Sequence, residues 1–123
     1  MAMIPPDVYE AFRVVKERLG RMYSDPQQDD PVDRDGADYL LGNIEALEQI
    51  FEDADDLSQN GPQANTISGI SAYLESRQRR ETFPSVLREL EEIFAGSSDA
   101  EQVRTIGDRA EAVDQYWQSW VSG

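Results

Sequence analysis

The chain contains no cysteine and no histidine. Without cysteine there is no disulfide, no thiolate nucleophile and no thiolate metal site. Without histidine the commonest general base, the commonest side-chain metal ligand and a Ser-His-Asp triad all drop out. Lysine is nearly missing as well: Lys16 stands alone beside ten arginines. No apolar run approaches the ~18 residues that a membrane-spanning helix needs. The opening stretch, Met1-Ala2-Met3-Ile4-Pro5-Pro6-Asp7, has neither the basic region nor the apolar segment of a signal peptide. These absences point to a protein that works in the cytoplasm or inside a virion, with no membrane partner. They give no reason to expect a catalytic residue, a cofactor or a metal site, so an enzyme is not expected.

Acid is what the chain has in excess. Asp and Glu total 25 against 11 Lys and Arg, for a net charge of −14. Carboxylates hold hydrated cations well, whereas a long lysine stem adds apolar surface that high salt makes costly to expose. The bias therefore reads as adaptation to molar salt, and a halophilic source is expected. The charge is unevenly spread. Residues 1–24 carry four bases and three acids, whereas residues 25–64 carry twelve acids and one base, a net of −11. Self-repulsion at this charge opposes compaction at low ionic strength. A broad basic surface for nucleic acid is excluded.

At 123 residues and 39% hydrophobic, the chain suits one domain with one core, spanning 1–123. Its apolar residues recur at alternating steps of three and four, the mark of a helix stripe. Val8, Phe12, Val15, Leu19 and Met22 place one helix over about 7–24, with Asp7 and Glu10 at capping-box spacing. Ala37, Leu40, Ile44, Leu47, Phe51 and Ala54 place a second over about 36–57. Ile67, Ile70 and Leu74 place a third over about 65–81. Phe83, Leu87, Leu90 and Phe94 place a short fourth over about 84–95, with Gly96 as its C′ residue. The last, about 98–121, carries Val103, Ile106, Ala110, Val113, Trp117 and Trp120 behind a capping box at Ser98 and Glu101. The repeat lies near 3.5 residues, which favours shallow crossings. The expected fold is all-α: an antiparallel helical bundle of four to five helices, with an acidic loop at 25–36 and an aromatic C-terminal end at 116–123.

Four features compete for a functional reading. The loop Asp25 to Gly36 is rich in Asp, but an EF-hand register through Asp33, Asp35 and Gly36 puts Pro31 at position 1 and Gly42 at position 12. A solvated acidic loop is the better account. On the second helix, Glu45, Glu48, Glu52 and Asp55 make two Glu-x-x-acid pairs. Such pairs are similar to those with which all-α nucleotide pyrophosphatases chelate Mg²⁺, and that resemblance implies a phosphohydrolase. In that family the pairs face each other from two helices; here both lie on one, with Glu45 and Glu52 on its outer side. The candidate partner pair, Glu89 and Glu92, lacks the adjoining pattern. Gly42, Gly69 and Gly107 stand alone inside helices, where close helix approach is the simplest reason for them.

The two remaining features are candidate partner-binding residues. Arg77, Arg79 and Arg80 sit in a stretch, 75–82, with no apolar stripe to pack. Tyr116, Trp117, Trp120 and Val121 crowd the end of the last helix. Core packing competes for Trp117, and pairing with neighbouring acids competes for the arginines.

These features favour a non-enzymatic assembly subunit from a halophile, in a homo-oligomeric ring or a hetero-assembly with other protein subunits. Its most concrete form is a head–tail adaptor of a tailed virus infecting haloarchaea, by analogy of size and class. The alternatives are an acidic regulatory binder or DNA mimic of the antitoxin or anti-restriction type, and a Mg²⁺-dependent all-α nucleotide phosphohydrolase. The acidic side is expected to face solvent, cations or a basic partner. Subunit contacts are expected on the first helix, on 75–82 or on the aromatic end. Salt adaptation itself is checked by denaturation at rising KCl: the midpoint should climb, and a midpoint that falls with added salt overturns it.

Overall fold

The computed structural model describes the backbone of residues 4–60 and 82–122, and their side chains apart from those of Leu57, Asn60, 82–84 and 120–122. Four helices account for most of it: α1 (Pro6–Ser24), α2 (Arg34–Asn60), α3 (Thr82–Ile93) and α4 (Asp99–Ser122). Among the described residues there is no strand. The helix expected at 65–81, with its stripe of Ile67, Ile70 and Leu74, and Gly69 within it, lies outside the described residues.

Helix α1 is the centre of the bundle, flanked by α2 and α4, while α3 packs on α4 and touches α2. Its expected stripe is its buried face: Val8, Phe12, Val15, Leu19 and Met22 are all 2% exposed or less. The second stripe behaves the same way, from Ala37 through Leu40, Ile44, Leu47 and Phe51 to Ala54. Phe12 and Phe51 meet edge to face, with ring centroids 5.1 Å apart and planes at 90°. Val86 and Leu90 from α3, with Phe94 just past its end, share one core with Val103, Ile106, Val113 and Trp117 from α4. Pairing across α1 and α2 runs in opposite senses, Tyr9 with Asp55 and Lys16 with Glu48, so the two are antiparallel. Helix α4 starts beside Arg18, near the end of α1. Trp117 lies against Ile50, in the middle of α2. Helix α4 can reach it only by running back along α1.

The helix ends depart from the sequence reading in instructive ways. The capping box expected at Asp7 and Glu10 does not form. Pro5 is the N-cap of α1, without a side-chain cap, and Pro6 occupies the first turn. Proline suits that position because its missing N–H has no helical partner there. Glu10 instead pairs with Arg13, whose hydrogen bond holds the Glu10 carboxyl below its usual pKa. The capping box at Ser98 is also replaced. The Ser97 hydroxyl accepts the Asp99 N–H at 3.2 Å and donates to the Phe94 carbonyl at 2.9 Å. One serine thus joins the end of α3 to the start of α4. Gly96 has φ +85°, the left-handed turn that its reading as the C′ residue requires.

Helix α2 starts two residues earlier than its apolar stripe implied. Asp33 is its cap: Oδ1 accepts the Gly36 N–H at 2.8 Å, and the Asp33 carbonyl accepts the Ala37 N–H at 2.9 Å. Gly36 is therefore helical, not the last residue of the loop. A Cβ at Gly36 would lie 3.2 Å from the Val32 Cβ, so the residue must be small.

Close helix approach does not explain Gly42 or Gly107, since a Cβ at either would meet nothing within 4 Å. Gly42→Ala is therefore expected to stabilise the protein by up to ~1 kcal/mol through backbone entropy. Gly36→Ala should give no gain. Chemical denaturation of the two variants checks the pair; a destabilised Gly42→Ala would overturn the open space beside that residue.

Candidate interaction surfaces

The seam between α1 and α2 carries polar rungs seven residues apart on α1, and seven and then fourteen apart on α2. The Tyr9 hydroxyl donates to Asp55 Oδ2 at 2.8 Å. The Lys16 ammonium donates to Glu48 Oε1 at 2.6 Å. At the loop end, the Arg34 guanidinium lies over the Tyr23 ring, 5.6 Å from its centroid, and its Nε donates to the Tyr23 carbonyl at 2.8 Å. On α1 the positions 9, 16 and 23 share one flank; on α2 the positions 55, 48 and 34 share the flank that faces it. Val32 packs on the core just before α2 begins.

Asp55 is the one buried charged side chain among the described residues. Besides Tyr9, it accepts the Ile4 backbone N–H at 3.3 Å and so fastens the segment ahead of α1 onto α2. Ile4 itself is 1% exposed. Burial, the hydrogen bond to Asp55 and the nearby charges of Asp55, Glu52 and Glu48 together push the Tyr9 hydroxyl well above its ordinary pKa. A buried carboxylate costs several kcal/mol unless hydrogen bonds compensate it, which is what Ile4 and Tyr9 supply.

This arrangement separates the four carboxylates that had grouped as a metal motif. Glu48 is tied to Lys16 and Asp55 to Ile4 and Tyr9, while Glu45 and Glu52 point outward and are exposed. No three acidic side chains among the described residues converge on a point where a metal ion could sit.

The bases of α1 are also used within the chain. Arg13 bridges Glu10 and Glu17. Arg18 pairs with Asp99 at 2.6 Å and lies over the Phe94 ring at 4.9 Å, tying α1 to both α3 and α4. Its Nε is buried without a hydrogen-bond partner. Arg21 approaches Asp30 at 3.9 Å. Helix α1 exposes a self-paired edge around Glu10, Arg13 and Glu17, and its last turn exposes Arg21 and Tyr23.

The outer face of α2 differs in kind. Asp35, Asp38, Gly42, Glu45, Gln49, Glu52 and Asp56 are exposed along it, opposite the buried stripe. Asp35, Asp38, Glu45 and Glu52 have no cationic partner within the described residues. Tyr39, at 55% the most exposed large apolar side chain among the described residues, stands on the flank of this helix away from α1. In the loop before it, Asp30 accepts the Gln27 N–H at 2.8 Å, and its side chain is 9% exposed. The loop is thus organised by its own carboxylates, a feature that counting them could not reveal.

No protein family, curated protein or solved structure matches this chain. Its surfaces must therefore be read from their own chemistry.

Of the partner-binding candidates at the aromatic end, Trp117 is core. It is 1% exposed, and its indole N–H donates to the Ile50 carbonyl at 3.3 Å. Tyr116 is half-buried beside it, with ring centroids 6.2 Å apart. The side chains of Trp120 and Val121, and the whole of Arg77, Arg79 and Arg80, lie outside the described residues. None of the described helices is long and apolar enough to cross a membrane.

The Tyr9–Asp55 contact has a pH signature. A group whose pKa is higher in the folded state stabilises the fold below its unfolded pKa, near ~10 for tyrosine, and loses that contribution as pH rises past it. The wild-type denaturation midpoint should fall between pH 9 and pH 11, and Tyr9→Phe should fall less steeply. At neutral pH the same variant should cost ~1–2 kcal/mol, because Asp55 loses a donor. Equal alkaline slopes for the two proteins would show that the contact does not persist in solution.

Proposed function

We propose that this protein is a non-catalytic assembly subunit adapted to high salt, most concretely a head–tail adaptor of a haloarchaeal tailed virus. The observation that carries the reading is the division of labour among its charges. Lys16 and Arg18 of α1 and two of the four motif carboxylates on α2 hold the bundle together, and Glu45 and Glu52 lie on the outer face of α2. An arrangement of this kind offers surfaces instead of a point where reacting groups converge. It also speaks against the phosphohydrolase, which needs its carboxylates aimed at one ion. The acidic face of α2 is suited to solvent, hydrated cations or a basic partner. The subunit contacts are assigned to Arg77, Arg79, Arg80, Trp120 and Val121, with Tyr116 at their margin and Trp117 removed from the set.

An acidic regulatory binder that imitates DNA is the second reading, favoured by the confinement of the carboxylates to one helix face. Charge density weighs against it. From Asp35 to Asp56 the outer and half-exposed carboxylates number seven over ~32 Å, or one per ~4.5 Å of axis. A single DNA strand carries one charge per ~3.4 Å and the duplex one per ~1.7 Å. The stripe is too sparse to pass for either.

Native mass spectrometry and electron microscopy in molar KCl test the assembly reading, with a ring or a defined oligomer as the expected result. Monomers at every concentration, or Mg²⁺-dependent turnover of a nucleotide, would sink it. Replacing Arg77, Arg79 and Arg80 by Ala should weaken the assembly, whereas the charge reversal Glu45→Lys with Glu52→Lys should leave it intact. An assembly abolished by the reversal would move the contact surface to α2.

A further inference from the structure

We draw no further inference here: the strongest candidate, the outward face of α2 from Asp35 to Glu52 with Gly42 as a notch in it, is a row of carboxylates that belongs to the surface already described, and nothing in the structure shows what covers it.

Discussion

Phe12 and Phe51 meet edge to face at the middle of the α1–α2 seam, and the rest of the bundle is arranged around that contact. It is an apolar contact between two antiparallel helices, flanked by polar rungs that fix their register. Each rung on either side then falls where its chemistry can be satisfied: Tyr9 on Asp55, Lys16 on Glu48, Arg34 on Tyr23. A register slipped by one turn would keep much of the apolar burial, because both stripes repeat every three to four residues. It would leave Asp55 buried without its donors, which costs far more than a surface ion pair could return. The apolar stripes drive the association, and the polar rungs choose one register among several of similar burial.

The same contacts account for the charge distribution. Residues 25–64 carry a net charge of −11, and α1 is the slightly basic helix beside them. Packing α1 between α2 and α4 puts Lys16 against Glu48 and Arg18 against Asp99, so its bases lower the repulsion of both neighbours at once. The sole lysine stands in this half-buried seam, and every base of the outer surface is arginine. What cannot be neutralised is turned outward along α2, where water and cations screen it. Self-repulsion along such a face weakens as ionic strength rises.

Much of the fold was legible in the sequence. The stripes of α1 and α2 became buried faces without exception, because a three-four apolar repeat has one low-energy use in a chain of this size. The helix ends were less legible. Asp7 and Glu10 satisfy the spacing of a capping box, yet Pro5 and Pro6 leave little for a cap to do, and Glu10 finds a better partner in Arg13. Asp33 was read as part of an acidic loop because its neighbours are acidic; the backbone N–H groups it caps belong to a helix whose first turn has no apolar residue to announce it. Gly42 and Gly107 were assigned to close packing by habit of thought about helical glycines, and open space stands beside both.

The sequence by itself determined the all-α class, the faces that are buried, the exclusion of thiol and imidazole chemistry, and the concentration of charge on one segment. Each of these depends on residue type or on spacing along one helix, which the chain carries locally. The spacing also put Glu45 and Glu52 on the outer side of α2; only the tertiary structure decided what Glu48 and Asp55 meet on the inner side. Glu48 and Glu52 are one helical turn apart and chemically identical, yet one holds Lys16 and the other meets solvent. The outward position of Glu52 follows from the stripe of α2 itself, whereas the partner of Glu48 comes from the azimuth of α1 against α2, which no property of either helix alone contains.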